Sequence, residues 1–418
     1  MIAAFERLTG VQWRGQGPAF LVASGHAATH WIISVFYVLL PFIAKDLGLT
    51  YTQAGGLASV FHIASFTANA GSGAVVDITG RKVLIQSVSL IIGGAALMAV
   101  GLANGIWLLI GLLVIIGFTN NLWHPAAMSF LATEYPNSRG YALSIHTLGA
   151  SVGDMLAPLA AGGLLTWLAW QGTASISALP VFVIAVLLFF ILGGSQSVGT
   201  APDKGREEKG EHTRENAMSF RQYLGGVLDL IRNKAVLGVC MMSAFRSMTQ
   251  NGLLIFLPLF MADVLKFDPV VLGLALMTLQ IGGFIAGPIA GVWSDKIGRQ
   301  PIVLASMVGT TIVVAGLTFV EGEAMFMVMM AILGFVLFAV RPVIHSWTMD
   351  LTPKEMGGSA ISLLFGTQSA FSAMVPVAGG FIADNWGLKT VFYLFAASVL
   401  VSTIMAFRLP EPRPEEAA

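Results

Sequence analysis

Four pairs of polar residues, each four positions apart, interrupt long apolar stretches of the chain: His26 and His30, Asn120 and His124, Arg246 and Gln250, Arg341 and His345. A separation of four puts both members of a pair on one helix face. Arginine offers a planar fork of donors that matches the oxygens of a carboxylate or phosphate. Histidine changes charge near pH 6.5 and can pass a proton. Asp154, Asn121, Asn251, Gln368, His62, His146 and Gln280 complete the polar inventory of the apolar stretches. These residue types predict an anionic or zwitterionic organic molecule held between Arg246 and Arg341. Gln250, Asn121 and Gln368 would orient it, with His26, His30, His124 and His345 beside it. The candidates for carrying a coupled proton are His26, His30, His124, Asp154 and His345. The spacing of His26 and His30 also suits a shared metal ion, with His124 and His345 able to complete the ligand set. Two arginines in the same space would repel a divalent cation, and no carboxylate cluster accompanies the histidines. Neither a metal nor another cofactor is expected.

The elements that must position these residues are membrane helices. Of 418 residues 56% are apolar and only 11% charged, and mean hydropathy is +0.80; a water-soluble domain carries about 25% charged residues. The lone Cys240 has no disulfide partner, and 22 basic against 22 acidic residues give no basic surface for nucleic acid. A spanning helix needs about 20 mostly apolar residues. Twelve stretches qualify, 18–43, 53–76, 83–103, 106–131, 142–167, 174–194, 236–262, 270–293, 301–320, 324–349, 358–382 and 388–408, designated spans 1 to 12. Short loops and one polar segment account for the rest, which leaves no room for a soluble catalytic domain, and there is no P-loop for ATP. Glu6, Arg7 and Arg14 precede the first apolar run without a cleavage-site pattern, so no removable leader is expected. With both termini cytoplasmic, 17 of the 22 Lys and Arg residues fall inside and only Lys45, Lys266 and Lys389 outside, as the positive-inside rule requires. A multi-pass protein of a bacterial inner membrane is expected.

The polar segment 195–234, with a possible interfacial helix at 220–231, divides the chain into 1–194 and 235–418. The two parts repeat at a displacement of 217–218 residues. GAVVDITGRK (73–82) aligns with GVWSDKIGRQ (291–300), Pro41 with Pro258, Pro125 with Pro342, Pro136 with Pro353 and Gly163 with Gly380. Two parallel six-helix repeats describe one well-populated carrier architecture.

The two loop sequences, with Gly73, Asp77, Gly80, Arg81 and Lys82 in the first copy and Gly291, Asp295, Gly298 and Arg299 in the second, resemble the signature of the major facilitator superfamily. Span 5, GASVGDMLAPLAAGG (149–163), is similar to the Gly/Pro-rich antiporter motif of its drug-efflux branches. Residues 123–159 resemble the fosmidomycin-resistance-like group. The resemblance implies an all-α fold of two pseudo-symmetric six-helix bundles, with spans 1, 4, 7 and 10 around a central cavity and spans 3, 6, 9 and 12 outside. It also implies that the two loop copies clasp the halves at the cytoplasmic face, with Asp77 and Asp295 pairing to Arg81 and Arg299 or facing a helix N-terminus. The expected protein is a monomeric carrier rather than an enzyme. It would bind a small-molecule substrate and protons in the lipid bilayer and work by alternating access. Export of a small organic anion in exchange for protons is the leading expectation. Proton-coupled uptake of an anionic metabolite, or carriage of a metal or metal chelate by the histidines, are the alternatives.

Overall fold

The computed structural model of the protein describes residue 6 and residues 11–196, 230–353 and 356–411. All twelve apolar stretches are helical; most run up to about a turn beyond the expected ends, whereas spans 3, 5 and 9 stop three residues short at Val100, Leu164 and Leu317. Spans 1 to 5 are Gly17–Asp46, Tyr51–Thr79, Lys82–Val100, Ile106–Glu134 and Arg139–Leu164. Span 6 is Trp170–Ser177 and Leu179–Gln196, broken at Ala178. Spans 7 to 12 are Lys234–Asp263, Pro269–Ile297, Arg299–Leu317, Glu323–Asp350, Gly357–Trp386 and Leu388–Arg408. Residues 197–229, which hold nearly all of the polar segment and of the expected interfacial helix, lie outside the described residues. Among the described residues nine helices are apolar and long enough to cross a membrane. Spans 2, 5 and 7 are as long but are diluted by Gly, Ser, Thr and amide residues. Large apolar side chains such as Phe190, Phe407 and Ile312 are exposed on the outer helices, and water would not tolerate such a continuous surface. The protein is a multi-pass membrane protein.

Helix ends are set locally. Thr50 and Gln53 form a capping box at the start of span 2, and Asn233 and Asp268 cap spans 7 and 8 through their side chains. Gly80 ends span 2 in the left-handed region, φ 64°, which a residue with a Cβ avoids. Span 1 packs on span 5 and span 2 on span 4; the second half repeats this, with span 7 on span 11 and span 8 on span 10. Spans 3, 6, 9 and 12 pack within their own half, whereas spans 2 and 11, 5 and 8, and 1 and 7 join the halves.

The two ends of the bundle differ. The near face holds the start of span 1 and the end of span 12; the far face holds the connections at 47–50 and 264–268. At the far face the halves meet backbone to backbone. A Cβ on Gly55 would strike the Pro376 carbonyl, and one on Gly273 the Pro158 carbonyl. A Cβ on Gly380 would strike the Tyr51 carbonyl, and one on Gly162 the Pro269 carbonyl. Each pair of equivalent residues, 55 and 273, 158 and 376, 162 and 380, 51 and 269, is 218 apart, so one crossing is a copy of the other; the structural counterpart of Gly380 is thus Gly162 rather than the Gly163 expected from the sequence alignment. Among the described residues, only the crossing of spans 2 and 11 carries a polar tie. Asp384 accepts from the Tyr51 N–H (2.7 Å), the Thr52 N–H (2.9 Å) and the Thr52 hydroxyl (2.6 Å). Tyr51 also donates through its hydroxyl to Asp263, 3.0 Å. The counterpart of Asp384, Thr166, turns back onto the Gly163 carbonyl of its own helix.

At the near face Gly73, Gly140, Gly287 and Gly291 have open space where a Cβ would sit, and no such backbone crossing joins the halves there among the described residues. The second loop copy is tied within its own half: Arg299 bonds Asp295, Ser294 (2.8 Å) and Asp350 (3.0 Å). In the first copy Asp77 and Arg81 are exposed and form no ion pair with each other among the described residues. Asp350 aligns at 217 residues with Thr133, so Arg81 lacks the carboxylate that holds Arg299. Lys82 instead bonds Thr133, 2.8 Å.

Candidate functional site

Between the halves lies a cavity of about 390 Å³. Spans 1, 2, 4 and 5 contribute His30, Ser34, Tyr37, His62, Asn120, Asn121 and Asp154 to its wall; spans 7, 8, 10 and 11 contribute Gln250, Asn251, Gln280, Arg341, Gln368 and Ser372. Spans 3, 6, 9 and 12 contribute none. A second cavity of about 320 Å³, sharing Asp154, Gln280, Phe338 and Arg341, runs from it between spans 5 and 8 past Ser144 and Gly287.

The two arginines have different surroundings. Arg341 is exposed to the cavity, and its guanidinium makes no hydrogen bond or ion pair among the described residues. Arg246 is 4% exposed and donates to the Leu337 carbonyl at 2.5 Å; it is not part of the wall. His345 is also outside the wall, its ring edge-on to Phe365 at 5.2 Å. Of the residues expected to bind substrate, His30, Asn121, Gln250, Arg341 and Gln368 come together at the cavity, whereas His26, His124, Arg246 and His345 do not. A shared i, i+4 face therefore does not place both members of a pair at the cavity, because each helix's rotation is fixed by packing.

Several amides are free to meet a ligand. Asn121 and Gln280 form no hydrogen bond among the described residues, and Gln250 Oε1 is buried without a partner. Gln368 donates to Ser243 (2.5 Å) and Asn251 to Ser372 (2.8 Å), which leaves each amide oxygen unused.

The first half builds a second cluster beside the cavity. His30 Nδ1 bonds Asp154 Oδ2 at 2.9 Å, and the Ser34 hydroxyl donates to Asp154 Oδ1 at 2.8 Å. Asp154 is thus bound to span 1, not to either arginine. His26 Nδ1 donates to the His146 carbonyl (2.7 Å) and His124 Nδ1 to the Asn120 carbonyl (2.7 Å). The His26 and His146 rings stack at 3.9 Å, with Trp123 stacked on both at 5.4 and 5.6 Å. His30 and His124 lie 4.9 and 5.0 Å from His26. Ring nitrogens of His26, His30 and His124 are within 4.8 Å of one another, a grouping that can pass a proton between rings and has the donors of a metal site. His146 and Ser34 were not among the expected site residues. The signal was present: His146 lies eight residues, two turns, before Asp154, and Ser34 lies four after His30.

The profile of the Major Facilitator Superfamily matches residues 22–246 and 239–418. "Multidrug resistance protein MdtG" of Klebsiella pneumoniae (strain 342) is 22% identical over 381 residues, covering 89% of this chain and 88% of that protein. "Phosphoglycerate transporter protein" of Salmonella typhimurium (strain LT2) is 22% identical over 399 residues, covering 92% and 86%. Among solved structures, a bacterial homologue of the human lysosomal transporter Spinster, inward-facing and unoccupied, superposes with a TM-score of 0.67 at 14% identity, covering 95% of this chain and 96% of that one. With its two six-helix halves, its paired loop signatures and a family match across both, the chain belongs to the Major Facilitator Superfamily, a family of membrane transporters.

Proposed function

We propose that the protein is a proton-linked carrier of a small organic anion, with Arg341 as the residue that holds the anionic group. One observation carries this reading: a guanidinium stands in the central cavity without a hydrogen-bond or ion-pair partner among the described residues, with neutral amides in the same wall. A carboxylate or phosphate supplies the missing bidentate partner. Arg246 acts by positioning span 10 through Leu337. The proton site is the pair His30 and Asp154. Facing it are Ser34 and His26 on span 1, His124 on span 4, His146 on span 5 and Arg341 on span 10, and the stacked histidines extend it as a relay.

Export in exchange for protons is supported by the relatives named for multidrug resistance. Cotransport of anion and proton is a second reading, favoured by the placement of Asp154 and Arg341 in one cavity wall: an anion meets less repulsion once Asp154 is neutral. In a bacterial inner membrane with both termini cytoplasmic, the near face is the cytoplasmic one and this conformation is open inward. Gly73, Asp77, Arg81, Gly291, Asp295 and Arg299 then form the cytoplasmic clasp when that face closes, and a monomer suffices for the cycle. The test is anion flux in proteoliposomes containing a pH-sensitive dye. Arg341→Gln protein that folds normally should carry no anion; undiminished flux overturns the reading. The sign of the proton movement separates exchange from cotransport.

A further inference from the structure

We infer that the anion carried is polyhydroxylated, a polyol or sugar bearing one carboxylate or phosphate; this rests on the reading that Arg341 holds the acid group. Carboxylates and phosphates at neutral pH bring chiefly hydrogen-bond acceptors, which suit Arg341 but cannot satisfy an acceptor in the wall. Asn251 and Gln368 in the wall present such acceptors. Their NH₂ groups donate to Ser372 and Ser243, and their amide oxygens accept no hydrogen bond among the described residues. The ligand must therefore carry donors as well as an acid. Ammonium groups supply donors, but Arg341 in the wall and Arg246 behind it disfavour a cation, and the lining carboxylate, Asp154, already has both oxygens engaged by His30 and Ser34.

Hydroxyl groups fit the rest. Each both donates and accepts, as does a carboxamide, so several hydroxyls can pair with Asn121, Gln250, Asn251, Gln280 and Gln368 in whichever direction each amide is turned. An amphiphile without hydroxyls would strip water from these amides and return nothing. The cavity volume, about 390 Å³, lies near the small end of ligand sites and suits a single sugar unit. Phe61, Phe66 and Phe338 in the wall give the C–H face of such a ring an apolar surface.

Thermal unfolding of the purified full-length protein tests this with four probe classes, each at about 10 mM, tenfold above the usual upper range of substrate KM. They are gluconate and glucose 6-phosphate, the chain-matched hexanoate and hexyl phosphate, neutral glucose, and a panel of amino acids. The expected result is stabilisation by the hydroxylated acids, with the plain acids needing at least about tenfold more ligand for the same shift. The wild-type comparison needs no variant; Gln368→Leu should reduce the tenfold preference. Equal stabilisation by plain and hydroxylated acids overturns the polyol inference and leaves the anion reading standing. Stabilisation by amino acids alone also overturns it. Stabilisation by glucose without any response to acids overturns the anion reading itself. No response to any hydroxylated acid or phosphate overturns the inference.

Discussion

The halves of the molecule share a fold and a sequence register, yet their polar residues have diverged in kind. The first half brings four histidines and a carboxylate into mutual contact in spans 1, 4 and 5. The second brings two arginines, one buried and bonded, one free in the cavity. The divergence can be followed position by position. His124 before Pro125 corresponds to Arg341 before Pro342, and Asp154 before Pro158 to Ser372 before Pro376. A duplicated scaffold has kept its prolines and crossings while its polar residues differ, histidines and a carboxylate in one half against arginines in the other; the proposed function assigns the proton to the first and the anion to the second. Their meeting point is the wall shared by Asp154 and Arg341.

The most severe break in this comparison is Arg341→Gln. Losing a charge-assisted bidentate contact costs about 3 kcal/mol, over a hundredfold in anion affinity, while the melting temperature should hold; titration calorimetry reads the first and thermal unfolding the second. Asp154→Asn should come next. Linked sites couple with about 1–3 kcal/mol, roughly 5–150-fold, so the change of anion affinity with pH in the wild type should flatten in the variant while binding persists. An unchanged pH profile would remove Asp154 from the proton site. Arg246→Gln should show the opposite pattern to Arg341→Gln, a stability loss of about 1–3 kcal/mol from the bond to Leu337 with anion affinity changed less. If both arginine variants lose affinity equally, their separation into positioning and binding roles fails. The smallest effect is expected from His146→Phe. It keeps an aromatic ring against His26 and Trp123 and should cost under about 1.5 kcal/mol, yet slow proton movement in the dye assay if the relay extends that far.

Much of the architecture was readable in the residues because the membrane imposes a simple length rule. Each expected apolar stretch is a helix, and even the diluted spans 2, 5 and 7 were legible through the repeat. The family resemblance named spans 1, 4, 7 and 10 as lining and spans 3, 6, 9 and 12 as outer; the cavity wall agrees and adds spans 2, 5, 8 and 11. What spacing could not give was the rotation of each helix about its axis. Arg246 and Arg341 each have a polar neighbour four residues on, yet one faces the Leu337 carbonyl and the other the cavity. His345 sits one turn beyond Arg341 and packs on Phe365. The difference between the loop copies was legible at one remove, because the carboxylate at position 350 is matched by a threonine at 133.

The doubled glycine crossings at the far face have a mechanical corollary. Both seams are drawn tight by bare backbone, but among the described residues only that of spans 2 and 11 is stitched, by Asp384 to the amides of Tyr51 and Thr52; that of spans 5 and 8 shows backbone packing alone. A door fastened along one edge swings from that edge. Spin-label distances across the two seams should therefore lengthen first between spans 5 and 8, and Asp384→Ala should abolish that order. The mouth then unfolds around spans 2 and 11 as a hinge, which lets a twofold scaffold move with one-sided handedness.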